Sequence, residues 1–391
     1  MQTDSAALVQ FRAVMEKDPS LQEQLNQPDD PAAFIALVIS RAREHGIDLA
    51  TDEVAAAIER RHPDFAGQHH ARLPPGGWLP VRAGWRGEGL QVEWAYLGPR
   101  QLREPFFADS VARCLPKPFN RLFRYAAPID AMAGWLRDHP GLTPNGFIFH
   151  ISRCGSTLAS QMLAALPHSI VVSEAAPIDA VVQARHISPD LGEEQHAAWL
   201  RWMIGALGQP RSGGERHYFV KLDSWHTLAL PLFRRAYPNV PWIFVYRDPL
   251  EVLVSQLQRR GLHMVPGSMD HVFGFATGHN LRPPERHCAD VLERICDGVL
   301  RHHAPGAALL VNYRQLPAAL WTDVLPHFAV ACSPGDRTAM AEVARRDAKH
   351  PELPFSNDSA AKRRGATFAI RAAAEPLAIL HARFEALRQG R

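Results

Sequence analysis

The architecture of this chain is set by one stretch: Phe147-Ile148-Phe149-His150-Ile151-Ser152-Arg153-Cys154-Gly155-Ser156-Thr157. Its first five residues are bulky and largely apolar, which predicts a buried strand, and the polar residues after them predict a tight turn. An Ala- and Leu-rich segment then predicts a helix that Pro167 ends. The first turn of such a helix offers unpaired backbone N–H groups, and the nearby hydroxyls and Arg153 add donors and positive charge. The stretch therefore predicts a site for a phosphate group.

This loop differs from the phosphate loop of nucleoside triphosphatases, which reads G-x-x-x-x-G-K-[ST]. His150 stands where the first Gly would be, and Ser156 stands where the Lys would be. These differences weaken the interpretation as an ordinary ATPase and leave a nucleotide-dependent kinase as a distant alternative. A turn followed by a helix cap would also explain the Gly-Ser-Thr sequence without any ligand.

A second stretch repeats the strand, loop and helix pattern: Trp242-Ile243-Phe244-Val245-Tyr246-Arg247-Asp248-Pro249-Leu250-Glu251-Val252-Leu253-Val254-Ser255-Gln256. Arg247 follows the predicted strand, Asp248 is in position to cap the next helix, and Pro249 fits its first position. Ser255 lies two turns further along that helix. Arg247 and Ser255 are thus placed to bind a second phosphate.

At these two stretches the chain resembles the sulfotransferase family, whose members bind 3′-phosphoadenosine 5′-phosphosulfate (PAPS). In that family an Arg at a strand end and a Ser eight residues later hold the 3′-phosphate, which implies this role for Arg247 and Ser255. The first loop, P-[KR]-[SG]-G-[ST]-[TS], holds the 5′-phosphosulfate, and its counterparts here are Ser152, Arg153, Cys154, Gly155, Ser156 and Thr157. Ser152 and Cys154 depart from the family pattern.

Several charged residues follow apolar runs that alternate with helical segments. Such alternation predicts an α/β fold with a parallel sheet flanked by helices, whose functional groups lie at the carboxyl ends of the strands. Arg153, Glu174, Lys221 and Arg247 each come just after such a run. The resemblance implies the fold of the P-loop type of sulfotransferase.

Glu174 is the candidate general base for an acceptor hydroxyl, because burial at a strand end would raise the pKa of a carboxylate toward neutrality. Arg153 and Lys221 are candidates for stabilising developing negative charge. By resemblance, Glu174 matches the catalytic Glu of protein-tyrosine sulfotransferases, and Lys221 matches a family Lys. Asp223 stands where cytosolic members carry a catalytic His, and it is the reserve base. The alternative is that Glu174 and Asp223 only cap helices and that Lys221 pairs with one of them.

The N-terminal 61 residues form a predicted small helical domain. Their pattern resembles the leader-peptide domain of the nitrogen-fixation-associated kind, through Phe11, Asp18-Pro19, Leu21, Leu25, Asp30-Pro31, Phe34 and Gly46-Ile47. Residues 62–77 are rich in Pro, Gly, Arg and His and predict a linker, and residues 78–391 would form the sulfotransferase-like domain, with 78–145 as an added hairpin and helices. A separable module that recognises a peptide or a second copy of the chain is expected. A generic helical extension is the alternative.

Three later segments bear on the site. Residues 261–284 have little periodicity and are a candidate lid over the acceptor. Tyr313 ends the last predicted strand, as a Tyr does in sulfotransferases. Residues 351–365 contain Lys362 and Arg363 and are expected to fold over the nucleotide, although a solvated basic loop explains these charges about as well. The last helix, from Phe368 to Leu387, is expected to be interrupted at Pro376.

The composition bears on the binding partners, the cofactors and the cellular compartment of the protein. The net charge of the 391 residues is +3, which argues for neither nucleic acid nor membrane as a partner. Five widely spaced cysteines predict no disulfide framework and no zinc motif, so a reduced, cytoplasmic setting is expected. The sequence thus predicts a PAPS-dependent sulfotransferase without a metal cofactor, acting on a small-molecule or peptide hydroxyl. The alternative is a non-catalytic scaffold that retains the nucleotide fold.

Overall fold

The computed structural model describes residues 4–60, 73–87, 89–303 and 306–390. The chain forms two compact units. The first comprises Met1–Arg100, Phe107–Gly141 and Trp202–Gly214, and the second comprises Gln101–Phe106, Leu142–Arg201 and Glu215–Arg391. Most of the predicted linker, residues 62–72, lies outside the described residues, as does Glu88 in the predicted hairpin turn.

The first unit begins with four helices, as the sequence predicts: α1 Ala6–Lys17, α2 Pro19–Leu25, α3 Pro31–Glu44 and α4 Thr51–Glu59. The side chains of Ser5, Asp18 and Asp30 accept hydrogen bonds from backbone N–H groups at the starts of the first three helices. The fourth helix begins at Thr51, and its capping position is Ala50, which supplies no side-chain hydrogen bond.

Three antiparallel strands in the order β1-β2-β3 complete this unit with short helices: β1 Leu79–Arg86, β2 Gly89–Ala95, α5 Phe107–Cys114, α6 Pro118–Leu122, β3 Tyr125–Pro128 and α7 Met132–Asp138, with a 3-10 turn at Ile129–Ala131. The segment between residues 105 and 123 contains two short helices. Pro118 begins the second of them, because proline fits the first position of a helix but not its interior.

Aromatic packing joins the hairpin segment to the N-terminal helices. Trp78 is fully buried, and its indole N–H donates to Gln22 on α2 at 3.0 Å. The Trp78 ring packs edge-on against Tyr125 at 4.8 Å between centroids, and Phe11 on α1 lies 6.4 Å from Phe123. Residues 78–100 and 107–141 thus belong with the helical part of the chain, whereas the sequence-based division assigned them to the sheet domain.

The second unit is built on a five-stranded sheet, which confirms the predicted α/β class. Its strands are β4 Gly146–His150, β5 Ser169–Ser173, β6 His217–Lys221, β7 Trp242–Tyr246 and β8 Ala308–Asn312. All neighbours are parallel, and their order is β5-β6-β4-β7-β8. The strand that precedes the loop at residues 152–157, β4, is therefore central, and the four strand ends singled out in the sequence lie on the same edge of the sheet.

Helices flank this sheet, and the helices that follow β4 along the chain are α8 Ser156–Ala164, α9 Ala176–Val182, α10 Ala184–Ile187, α11 Glu193–Leu207, α12 Leu230–Ala236, α13 Pro249–Gln258, α14 Asp270–Phe273, α15 Pro284–His302, α16 Leu325–His327, α17 Pro334–Ala344, α18 Ser359–Arg364 and α19 Phe368–Arg388. Short 3-10 helices span Ser224–Ala229, Leu262–Met264, His279–Leu281 and Tyr313–Gln315, and a π-helix spans Leu320–Val324. The last helix, α19, continues through Pro376 and is not interrupted there.

None of the described helices combines the length and the apolar character that crossing a membrane requires.

Candidate functional site

The loop after β4 is held in an unusual backbone conformation. Ser152 and Arg153 both have positive φ angles, of 74° and 51°, which side chains other than glycine adopt at a cost of about 1–3 kcal/mol each. Two contacts fix the loop. The Ser152 backbone N–H donates to Nδ1 of His150 at 2.9 Å, and Gln256 on α13 donates to the Ser152 hydroxyl at 2.9 Å. Such strain is typical of a backbone shaped for a ligand.

Gly155 occupies a place where no side chain fits. Its φ is 88°, and a Cβ atom there would lie 2.8 Å from the ring of Tyr313. The same ring also lies beside Arg247, whose guanidinium carbon is 4.1 Å from the ring centroid. Tyr313 therefore connects the first loop to the candidate site for the second phosphate.

The remaining loop residues point inward or begin α8. Cys154 is fully buried, and its thiol donates to the carbonyl of Val245 on β7 at 3.1 Å. Burial raises the pKa of Cys154 to about 11, so the thiol is neutral at physiological pH. Cys154, which differs from the loop pattern quoted above, thus lies beneath the loop. Ser156 and Thr157 are the first two residues of α8, and both are buried.

Glu174 lies at the end of β5 in contact with two residues from neighbouring strands. Lys221, which is fully buried at the end of β6, forms an ion pair with its carboxylate, and Nε2 of His150 lies 3.3 Å from it. Because Nδ1 of His150 accepts from Ser152, its proton is on Nε2, which donates to the carbonyl of Leu222 at 2.9 Å. His150, in the place of the usual glycine, thus ties the loop to Glu174 and β6.

The prediction that burial raises the pKa of Glu174 is wrong. Burial by itself would raise this pKa, but the charge of Lys221 and the hydrogen bond from His150 outweigh burial and hold it below its ordinary value. Glu174 does not cap the following helix, whose capping position is Ala175. The carboxylate is therefore ionised and ion-paired to Lys221.

The pKa of Asp223 is shifted in the opposite direction. Burial, together with the nearby carboxylates Glu174 and Asp179, raises the pKa of Asp223 to about 7. Its carboxylate lies 3.8 Å from Nε2 of His226, which in turn lies 2.9 Å from Asp179. Asp223 occupies the capping position of the next helix, but its side chain makes no capping hydrogen bond. Its pKa matches the working range of a general base.

Lys349 is a site residue that the sequence did not reveal. Its ammonium lies 5.4 Å from the centroid of the Phe106 ring, and Lys221 lies 5.0 Å from the same centroid. Desolvation, followed by the charges of Arg153 and Lys221, lowers the pKa of Lys349 to about 8. A turn far from any strand end brings this lysine to the site, so no local sequence pattern marks it.

The second candidate phosphate site joins Arg247 to α18. Arg247 donates through Nε to Glu251 at 2.7 Å and through Nη2 to Asp358 at 2.9 Å. Lys362 contacts the other oxygen of Asp358 at 2.7 Å, and Arg363 lies 2.9 Å from Glu251. The basic segment at residues 358–363 thus lies beside Arg247 rather than free in solvent.

The structure therefore brings the candidate residues into two groups. The first consists of the loop at residues 152–157 with Glu174, Lys221 and Asp223 at the strand ends, joined by Lys349. The second consists of Arg247, Lys362 and Arg363, with Tyr313 between the groups. Ser255 is half-buried two turns along α13 from Arg247.

Comparison with solved structures finds sulfotransferases. The chain is similar to the sulfotransferase domain from the curacin biosynthetic pathway, with 15% identity and a TM-score of 0.38 over 61% of this chain and 98% of that domain. It is also similar to the sulfotransferase domain of the olefin synthase from Synechococcus PCC 7002, with 17% identity and a TM-score of 0.38 over 62% of this chain and 96% of that one. A sulfotransferase from Mycobacterium avium matches with 13% identity and a TM-score of 0.38 over 65% and 80% of the two chains. No family model and no curated protein matches the chain.

Proposed function

We propose that this protein transfers a sulfuryl group from 3′-phosphoadenosine 5′-phosphosulfate to the hydroxyl of a small-molecule or peptide acceptor. One observation carries the proposal: two groups of cations, which include Lys221 and Arg247 from the ends of parallel strands, are linked by Tyr313, and the first group lies beside the carboxylate of Glu174. Two linked cation groups suit a ligand with two separated anionic ends, and the carboxylates suit proton removal from an acceptor.

The residues of the site fit such a donor. In the second group, the carboxylate of Asp358 lies between Arg247 and Lys362, an arrangement that supports the binding of an anion by this pair. We assign the 3′-phosphate to Arg247, Ser255, Tyr313, Lys362 and Arg363. We assign the 5′-phosphosulfate to the loop at residues 152–157, where Gly155 permits a close approach and Arg153 supplies charge.

When bound, the donor supplies the sulfuryl group that the acceptor oxygen attacks. Lys221, Arg153 and Lys349 would stabilise the negative charge that develops on the departing oxygen. Glu174 would take the acceptor proton. Its proton affinity is low while it is paired with Lys221, and it rises once Lys221 turns to the anionic donor. In this proposal, donor binding itself makes Glu174 a competent base. No residue of this scheme requires a metal.

Asp223 is the second candidate for the base, because its pKa of about 7 needs no such change. Two matched variants separate the candidates. Donor labelled in the sulfuryl group would be incubated with the protein and mixed hydroxyl-containing acceptors, and labelled products would be counted. We expect Glu174→Gln to keep its affinity for adenosine 3′,5′-bisphosphate while turnover falls roughly a hundredfold or more. If Asp223→Asn is damaging and Glu174→Gln is nearly silent, Asp223 is the base.

Two other functions make different predictions for the same protein. A nucleotide-dependent kinase would bind ATP with Mg²⁺ in preference to the bisphosphate, and a scaffold would bind neither nucleotide. We place the protein in the cytoplasm as part of this proposal. Recognition of a peptide or of a second copy through residues 1–61 also stays a prediction.

A further inference from the structure

A group of metal-binding side chains lies in the segment between α13 and α15, apart from the residues assigned above. Asp270 is the first residue of α14, His279 begins a 3-10 helix, and His287 lies in the first turn of α15. One potential ligand atom from each lies within 4.8 Å of the others. Three residues from three elements thus converge on one point.

The two imidazoles face each other through their Nδ1 atoms, which are 3.2 Å apart. Nε2 of His279 lies 2.9 Å from the carboxylate of Asp290, so the proton of His279 is on Nε2 and the lone pair of its Nδ1 points toward His287. His287 is 1% exposed, and within the described part of the chain its Nε2 has no hydrogen-bond partner.

The supporting contacts also suit a metal ligand. A carboxylate that accepts from the far nitrogen of a ligating histidine fixes the tautomer and orients the ring, and Asp290 does this for His279. The ring of Phe275 stacks on His279 at 3.7 Å between centroids. His279 and Asp290 also line a cavity of about 550 Å³.

We propose that Asp270, His279 and His287 bind a zinc ion, with Asp290 orienting His279. Two imidazoles and one carboxylate are a donor set that zinc takes in proteins, with water in the fourth position, whereas Mg²⁺ and Ca²⁺ prefer oxygen ligands throughout. A bound ion would tie the loop before α15 to that helix. This inference does not depend on sulfuryl transfer, and the ion has no role in the scheme for that reaction.

The test measures zinc itself on the full-length protein. Chelator-treated protein would be dialysed against Zn²⁺, with bound zinc measured by atomic absorption and melting temperature recorded with and without Zn²⁺ or Mg²⁺. We expect about one equivalent of zinc that is lost in Asp270→Asn and in His279→Ala, and a melting temperature that rises with Zn²⁺ only. His302→Ala removes an exposed histidine from the same helix and should behave as the unaltered protein.

A variant that alters the hydrogen-bond partner of a ligand, and not a ligand itself, gives a second test. Asp290→Asn should weaken zinc binding roughly 10- to 100-fold, as the loss of a supporting partner does. Melting in chelator establishes that each variant is folded, and Asp270→Asn carries the test if His279→Ala is not. The proposal is overturned if the unaltered protein binds no zinc, or if Asp270→Asn binds zinc with the same stoichiometry and affinity as the unaltered protein.

Discussion

At the scale of single residues, the site differs most from the sequence-based expectation in its protonation. The sequence pointed to Glu174 as the carboxylate with a raised pKa, but Lys221 lowers that pKa and Asp223 carries the raised one. The positions of both carboxylates at strand ends follow from the sequence. Their pKa values do not, because they depend on neighbours such as Asp179 and His150 that only the folded chain brings close.

Lys349 gives the first prediction. Its pKa of about 8 lies close to physiological pH, among the charges of Arg153, Lys221, Arg259 and Glu174. If its ammonium helps to hold the anionic donor, affinity for adenosine 3′,5′-bisphosphate should fall as pH rises above about 8, because the free protein then loses this charge. Calorimetric titrations at pH 7 and pH 9.5 would measure the change.

The control for this prediction is Lys349→Arg, because arginine stays protonated across this pH range. The variant should bind the bisphosphate with an affinity that changes less between the two pH values than that of the unaltered protein. An equal loss of affinity in both proteins would show that another group titrates, and the assignment of Lys349 to the donor site would fail.

Asp223 gives the second prediction, which concerns stability. Because its pKa in the folded protein, about 7, is above the value in an unfolded chain, the native state holds a proton that the unfolded state has lost between about pH 4 and pH 7. The contribution of this group to the free energy of unfolding therefore falls as pH rises through that window. Asp223→Asn should melt higher than the unaltered protein at pH 8 and lose this advantage at pH 4.5. A lower melting temperature for the variant at both pH values would contradict the assigned environment.

At the scale of elements, the central strands were predicted nearly residue by residue, since continuous apolar runs between helical segments leave few alternatives. The helical segment after β6 is less regular, because it begins as a 3-10 helix at Ser224 and becomes α-helical at Leu230. The left-handed backbone of Ser152 and Arg153 had no sequence signal, because contacts from His150 and from α13 hold it.

The helix α18 gives the third prediction. The carboxylate of Asp358 lies between Arg247 and Lys362, where the proposal puts the 3′-phosphate. A phosphate must therefore displace this carboxylate, and Asp358→Ala should bind adenosine 3′,5′-bisphosphate more tightly. Asp190→Ala removes a negative charge from an exposed position and is the matched control. Weaker binding by Asp358→Ala than by the control would mean that Asp358 supports the site instead of competing for it.

At the scale of the whole molecule, the division of the chain was the hardest feature to read from sequence. A linker rich in Pro and Gly suggested a boundary near residue 77, but Phe123 packs against Phe11 on α1, and Trp78 and Tyr125 form hydrogen bonds with α2 and α1. Aromatic residues of a hairpin carry no mark of the partner that covers them, so their pattern alone cannot assign them to a unit.

The fourth prediction follows from this packing. A chain beginning near Gly77 would lose the helices that contact Trp78 and Phe123 and would expose buried aromatic surface, so we expect it to aggregate. Size-exclusion chromatography would show this, with the full-length chain as the control. A soluble, monomeric product that keeps nucleotide affinity would instead support the separable module that the sequence suggested.

The most direct test of the proposed donor site is the affinity for adenosine 3′,5′-bisphosphate without Mg²⁺, measured by calorimetry for the unaltered protein and for Arg247→Ala. The proposed donor site predicts binding that needs no metal and that weakens by roughly 2–4 kcal/mol in Arg247→Ala, as the loss of a charge-assisted contact would. Arg383→Ala, at an exposed position on α19, should leave the affinity unchanged. Equal affinity in Arg247→Ala and the unaltered protein, or binding of ATP with Mg²⁺ in place of the bisphosphate, would contradict it.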